Sequence, residues 1–423
     1  MTPSLPVAII GAGPIGLAAA AHVIARSLDV VIFERADEVA ASQRAWGHVR
    51  LFSPWRYNID RAASALLQTT GWTAPPPEDL PTGRELVDRY LRPLAAMPVI
   101  GDRLRLGRRV EAITRVGVDK VRTAGRGERP FLVRTRTADG VQEEWSAAAV
   151  LDASGTWFSP NPLGASGLPA LNEDTWRDHI AYGIPDILGV DRARHADRTT
   201  LVVGAGHSAA NSMLALVSLA ETHPRTEIVW STRGSNLARV FGGGAGDGLP
   251  ARGALGAALR QLVDAGRITM VDNFRIAALS EEHGQLEVRG ERAGVRLAIG
   301  GIDSIIAATG QRPDLAMLRE LRLGIDPALE SVSALAPLID PNEHSCGTVR
   351  PHGARELAHP EPGFYVIGSK SYGRAPTFLL ATGYEQARSV AAMLAGDHEA
   401  AHRVELDLPE TGVCGVRPPA SAA

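Results

Sequence analysis

Cysteine is nearly missing from this chain: its 423 residues include two, Cys346 and Cys414. These form no CxxC pair and no Cys/His spacing that would hold zinc, so a disulfide-stapled scaffold, a metal centre and the usual dithiol motif are excluded as the basis of the fold. Lysine is equally scarce. Lys120 and Lys370 are the only two, and every other basic side chain apart from histidine is arginine, a bias of base composition that makes the position of Lys370 worth following. No apolar run reaches the ~18–20 residues a membrane helix needs. The first strand starts so close to residue 1 that a signal peptide has no room, and the chain reads as cytoplasmic. Excess charge of either sign is lacking too. A net charge of −3, with both signs dispersed, leaves no footprint for nucleic acid and nothing to draw the protein to a membrane.

Glycine is abundant, with 44 residues, and two of its clusters share one design: Gly11-Ala12-Gly13-Pro14-Ile15-Gly16 and Gly204-Ala205-Gly206-His207-Ser208-Ala209. Each follows a short apolar run, Val7–Ile10 or Leu201–Val203, and opens an alanine-rich stretch of helical period. That is the strand–turn–helix setting of a dinucleotide fingerprint. The first glycine permits the tight turn, the second lets backbone approach a pyrophosphate, and the third position must be small so that helix packs on strand. Amides at the helix start and its positive dipole end then hold the phosphates. The residues after each second strand make the two sites unequal. Val30–Phe33 runs into Glu34, whose carboxylate can accept both ribose hydroxyls and so favours FAD or NAD over NADP. Glu227–Trp230 runs into Ser231-Thr232-Arg233, with no acid and with a guanidinium suited to a 2′-phosphate. This second turn reads as an NADPH site; a solvated surface arginine is the plainer alternative for Arg233.

At this length two or three domains are expected. After the first unit comes an aromatic, arginine-rich stretch, Trp46–Arg50 through Ser53–Asn58, read either as a ligand-facing wall or as core. A helix begins after Pro81, with Leu86, Tyr90 and Leu91 at helical spacing. Residues 104–118 read as strand and turn, and 120–136 with 142–150 as antiparallel strands. Two strand ends break alike into glycine turns, Asp152-Ala153-Ser154-Gly155 and Ala308-Thr309-Gly310. The glycine-dense segment 241–248 is either a lid over the nicotinamide or a plain surface loop. Gly363–Gly368 reads as strand and turn, 377–394 as a helix, and the chain from 399 on as a flexible tail.

On these residues the chain resembles the two-dinucleotide-binding-domain flavoproteins, in particular the flavin-containing monooxygenase-like branch of predicted NAD(P)/FAD-dependent oxidoreductases, from residue 6 to about 395. The resemblance implies an α/β fold of two Rossmann-like domains. The NADPH domain (163–305) would be inserted in a discontinuous FAD domain (1–162 and 306–398), followed by the tail 399–423. It assigns Gly11, Gly13, Pro14, Ile15, Gly16, Glu34, Arg35, Trp46, Val110, Ser154, Gly155, Gly368 and Ser369 to FAD, with Thr309 and Gly310 at the paired strand end. Gly204, Gly206, His207, Ser208, Ala209 and Arg233 fall to NADPH. The implied activity is NADPH-dependent oxygenation of a small organic substrate by dioxygen through a flavin C4a-(hydro)peroxide, which must be shielded from water. Trp46, Trp55, Tyr57 and Asn58 are candidates for that enclosure. Asn58, Lys370 and Arg374 are the catalytic candidates, the last two for negative charge on reduced flavin or on a substrate, with solvated charges as the alternative.

The monooxygenase signature before the second turn is degraded, with Glu173 and Thr175 at its Phe and Gly positions and only His179 and Tyr182 surviving. Two other readings therefore stand beside it. Cys346, between His344 and His352, could exchange with Cys414 in a reductase of disulfides or of thiol-reactive metal species. A non-catalytic FAD-binding redox sensor is the third, disfavoured by the second nucleotide site.

Overall fold

The computed structural model describes residues 5–235, 237–241, 249–343, 351–375 and 378–406. They form two compact units, one from the described parts of Met1–Thr156 and Arg312–Pro409, the other from Trp157–Gln311. Both have mixed α/β architecture around parallel sheets. The division lies outside the boundaries expected at 162/163 and 305/306. Asn161 explains the shift: its N–H donates to the Gly310 carbonyl at 2.9 Å, and its side-chain amide to the Thr309 carbonyl at 3.0 Å. Pro160 and Gln311 form a bridge beside it, so both crossing strands of chain are sewn into the second unit.

In the first unit a parallel sheet runs in the order Phe364–Val366, Ala149–Asp152, Val7–Ile10, Val30–Phe33, Leu104–Arg105. Four of its five strands are short and buried at every residue, as a sheet covered on both faces requires, and only the edge strand Leu104–Arg105 is half-buried. Helix Pro14–Ile24 follows the first glycine turn. Four consecutive alanines, Ala18–Ala21, are fully buried on it, and their small side chains let it lie close against helix Leu380–Leu394. A three-stranded antiparallel sheet, Arg109–Arg115, Phe131–Arg136 and Gln142–Ala147, precedes the strand Ala149–Asp152 in the chain. The segment expected to be helical after Pro81 is so, from Gly83 to Ala95, with a π-turn at Val87–Leu91. Thr82 and Glu85 form a reciprocal capping box at its start. Pro93 cannot donate to the Arg89 carbonyl, and the Trp72 indole N–H takes that place at 2.9 Å.

The second unit repeats the plan. Its parallel sheet runs Thr269–Val271, Glu227–Ser231, Thr199–Val203, Ser304–Ala307, Ile180–Tyr182, and an antiparallel meander, Phe274–Glu282, Gln285–Arg292 and Val295–Ile302, precedes its strand Ser304–Ala307. Successive side chains of a strand point to opposite faces, which splits the core in two. Val202, Ile228, Trp230 and Ile306 pack with Met213 and Leu216 of helix His207–Ala220, while Leu201, Val203, Ile305 and Ala307 pack with Phe274, Ile276 and Leu279 of the meander.

The tail is ordered further than expected. Helix His398–His402 is capped by Asp397, and the buried Arg388 and Ser389 donate to the carbonyls of Ala400 at 2.8 Å and Ala401 at 2.5 Å. Residues 242–248, Cys346 and Cys414 lie outside the described residues. No helix among the described residues is long and apolar enough to cross a membrane.

Candidate functional site

In the first unit the glycine turn sits at the carboxyl end of Val7–Ile10, and its three glycines have three separate causes. Gly11 has φ +96°, and a Cβ on it would lie 2.8 Å from the Ala153 carbonyl. A Cβ on Gly16 would lie 1.9 Å from the Gly11 carbonyl, because helix and turn touch there. Gly13 is different. Its φ of −82° suits any residue, and a Cβ would meet nothing nearer than Gln43 Oε1 at 3.8 Å. Nothing inside the unit demands glycine at this position, so the space in front of it is what an approaching phosphate would use. Gly13 caps the helix without a side-chain acceptor, no acid lies in the first turn, and Pro14 occupies the first helical position. Pro14 has no N–H to offer, so the amides of Ile15 and Gly16 are the donors left at this end.

Glu34 is buried at the end of the second strand, where Oε2 accepts from the Ala12 N–H at 2.8 Å and Oε1 from the Ala36 N–H at 3.0 Å. Its carboxylate thus shapes the turn from behind while each oxygen keeps lone-pair capacity for ribose hydroxyls. Arg35 follows, exposed, just past the end of that strand, and Val110 is buried at the start of the antiparallel sheet beside a register shift. The Trp46 ring lies against Gly83, where a Cβ would come 2.6 Å from it.

Two further segments meet this turn. Ala153 and Ser154 abut Gly11, a Cβ on Gly155 would lie 3.6 Å from Ser369 Oγ, and one on Gly368 would lie 3.2 Å from Ile15. The glycine turn, the Asp152–Gly155 strand end and the Gly368–Tyr372 turn therefore converge within one unit. Sequence reasoning missed Gln386, which braces them, and the pairing of Asp152 with Lys370. Gln386 Oε1 accepts from the Gly368 N–H at 2.7 Å, and its amide nitrogen donates to Ser371 Oγ at 3.0 Å and to His352 Nε2 at 2.8 Å. Asp152, fully buried, accepts at Oδ1 from the Ser154 hydroxyl at 2.6 Å and pairs at Oδ2 with Lys370 Nζ at 2.7 Å. A buried acid at a strand end was a visible signal; its lysine partner, 218 positions away, was not.

The second turn repeats the geometry in the other unit. Gly204 has φ +132°, and a Cβ would lie 2.2 Å from the Ala308 carbonyl; a Cβ on Gly206 would meet nothing within 4 Å. Ala209, fully buried, fills the third position, and His207 and Ser208, half-buried, form the first turn of a helix that has no side-chain cap and no acid at its start. The buried Trp230 indole donates to the Gly204 carbonyl at 2.8 Å and fixes the turn to its sheet. Arg233 is exposed just past the strand end, with Nη1 at 3.4 Å from the Ala165 carbonyl, a long contact that a phosphate would displace.

Several candidates have other work. Asn58 is fully buried: its amide nitrogen donates to the carbonyls of Ser53 at 2.6 Å and Pro54 at 3.0 Å, and Oδ1 accepts from Ser53 Oγ at 2.9 Å. With its polar atoms engaged it braces a turn rather than presenting an amide to a ligand, which corrects its catalytic assignment. Arg374 is exposed, with its guanidinium paired to Glu330 at 2.6 Å on the surface. Trp55 is core, 1% exposed, with the Arg89 guanidinium over its ring. The Thr309 hydroxyl donates to the Asn161 carbonyl at 2.6 Å, holding the Ala308–Gly310 turn closed, so it too is structural. His179 is exposed and its Nδ1 lies 3.0 Å from the Asp303 carbonyl, while Tyr182 donates to the buried Glu173 at 2.5 Å. These remnants of the monooxygenase signature brace the second unit.

Residues 6–97 match the family model described as FAD dependent oxidoreductase. No curated protein matches the chain at the sequence level. Among solved structures it is similar to the bacillithiol disulfide reductase Bdr (YpdA) from Bacillus cereus, at 18% identity with a TM-score of 0.68 over 93% of this chain and 99% of that one. It is also similar to DfoA bound to FAD, the desferrioxamine biosynthetic pathway cadaverine monooxygenase from Erwinia amylovora, at 14% identity with a TM-score of 0.64 over 100% of each chain. A third is the ornithine hydroxylase PvdA from Pseudomonas aeruginosa, at 15% identity with a TM-score of 0.60 over 93% and 100%. The chain thus has the fold of the two-dinucleotide-domain flavoproteins, and its match to the FAD dependent oxidoreductase family model, over residues 6–97, lies on the unit that holds the first glycine turn.

Proposed function

We propose that the protein is an NADPH-dependent FAD enzyme of the monooxygenase kind, holding FAD at Gly11–Gly16 and NADPH at Gly204–Ala209, and oxygenating a small organic molecule with dioxygen. The observation that carries the two-cofactor reading is the pair of open middle glycines, Gly13 and Gly206, each at an ordinary φ with free space where a Cβ would point. FAD, when bound, supplies a two-electron acceptor that takes hydride from NADPH and passes the electrons on to oxygen.

The chain's own residues hold and orient. At the first turn the Ile15 and Gly16 amides would hold the phosphates and Glu34 the ribose hydroxyls, while Gln386 holds the Gly368 turn. At the second, the amides of His207 and Ser208 would hold the other pyrophosphate, and Arg233 would meet the 2′-phosphate with a charge-assisted fork that NADH cannot use. The acidic residue that would repel a 2′-phosphate is absent from that strand end.

The test loads the protein with FAD, adds NADPH without oxygen, then admits oxygen with candidate amine and thioether substrates. Loss of the oxidised flavin absorbance with NADPH, followed by NADPH-dependent oxygen uptake matched by oxygenated product, is the expected result. Turnover that needs a disulfide and no oxygen would replace this reading with the reductase built on Cys346 and Cys414. A flavin that NADPH leaves oxidised would leave the sensor.

A further inference from the structure

We propose that Lys370 and Asp152 act as a charge pair that sets the reduction potential of the FAD at the first glycine turn, the ammonium favouring the reduced cofactor and the carboxylate opposing it. This rests on the FAD reading above. Both side chains are buried, at 1% and 0% exposure, and Nζ to Oδ2 is 2.7 Å. Nζ also donates to Ser154 Oγ at 3.1 Å. The Ser154 hydroxyl and N–H both donate to Asp152 Oδ1, at 2.6 and 3.1 Å. Residue 154 itself is exposed. The pair thus sits one residue beneath the surface where the glycine turn, the Asp152–Gly155 strand end and the Gly368–Tyr372 turn converge.

Stability gives no reason for the pair. Taking two charges out of water costs about as much as their attraction returns, and apolar residues of similar volume commonly do as well. Composition gives none either, because this chain uses arginine almost everywhere and keeps a lysine in this enclosed space. A buried charge, by contrast, acts over a distance with little screening. Hydride transfer to neutral oxidised flavin adds two electrons and one proton, and the nicotinamide leaves with its positive charge. One negative charge therefore appears on the flavin, and a nearby ammonium lowers the free energy of that state while a carboxylate raises it. His359 also feels the Asp152 carboxylate, but burial pushes it down to about 4, so it is neutral near pH 7 and adds no charge beside the pair.

The experiment measures the flavin midpoint potential by dye equilibration in FAD-loaded wild type, Lys370→Met and Asp152→Asn. Lys370→Gln is the further variant, keeping a donor toward Asp152 and Ser154 without the charge. Removing the ammonium should lower the potential and removing the carboxylate should raise it. Each change is expected to shift the oxidised-to-reduced equilibrium at least tenfold, about 30 mV for a two-electron couple. A purely structural pair would move FAD occupancy without this opposition of sign. Shifts in the same direction, or shifts under threefold at full FAD occupancy, overturn the inference alone. A wild-type protein that takes up no FAD overturns the FAD assignment itself.

Discussion

Replacing Gly206 by alanine separates what the second turn does for the fold from what it does for a ligand. Gly206 has φ −107° and ψ 176°, an extended conformation any residue adopts, and a Cβ there meets nothing within 4 Å. Two small effects on stability then oppose each other. Alanine restricts the unfolded chain, a gain of ~0.4–1 kcal/mol, but it is a poorer helix N-cap than glycine by up to ~1 kcal/mol. The net change stays within about 1 kcal/mol, which moves the melting temperature of a unit this size by no more than ~4 °C. Binding responds differently, because the new methyl occupies the side from which a pyrophosphate must reach the amides of His207 and Ser208. Losing one such charge-assisted hydrogen bond costs ~1.5–3 kcal/mol, so the dissociation constant for NADPH should rise ~10- to 100-fold. Gly204→Ala is the contrasting control: its Cβ would lie 2.2 Å from the Ala308 carbonyl at φ +132°, so it should damage the fold itself. Thermal unfolding of the apoprotein together with an NADPH titration reads both quantities. A Gly206→Ala protein that melts like wild type and binds NADPH with unchanged affinity would refute the reading of this turn as a phosphate cradle.

Arg233→Ala should raise KM for NADPH by ~10-fold or more while leaving KM for NADH within twofold, the expected loss of a charge-assisted contact to a 2′-phosphate; steady-state kinetics with both donors checks it, and equal effects would remove the assignment. Glu34→Gln leaves one acceptor oxygen where the Ala12 and Ala36 amides now have two, so an N–H faces an NH2 group at ~1–3 kcal/mol; FAD retention on gel filtration should fall while the second unit still binds NADPH. Acid should destabilise the second unit through His195. It is fully buried with Nδ1 3.1 Å from Thr200 Oγ1, and burial lowers its pKa to about 4. The unfolded state binds its proton first, so the stability is present above pH ~6.5 and is lost as pH falls toward 4, by about 3 kcal/mol at most. Denaturant unfolding across that range should show the slope in wild type and a flatter one in His195→Gln.

Sequence alone was enough wherever the cause of a residue is local. The two strand–turn–helix units, the small residue at each third turn position, the acid at Glu34 and its absence before Arg233 follow from period, turn chemistry and near neighbours, and the structure builds both halves on those elements. The tertiary structure decided the uses of side chains whose partners are remote. Asn58 and Trp55 look like an active-site wall in sequence because amide and indole types are shared by cofactor pockets and by cores; burial and satisfied hydrogen bonds make them core. Gln386 carries no motif, yet it holds the Gly368 turn from the next helix. Lys370 stood out in the sequence by its rarity and by its place two residues after Gly368. What gives it a role is Asp152, brought within 2.7 Å by the pairing of Phe364–Val366 with Ala149–Asp152, and a parallel register between strands so far apart in the chain is set by the packing of the whole sheet rather than by any local pattern.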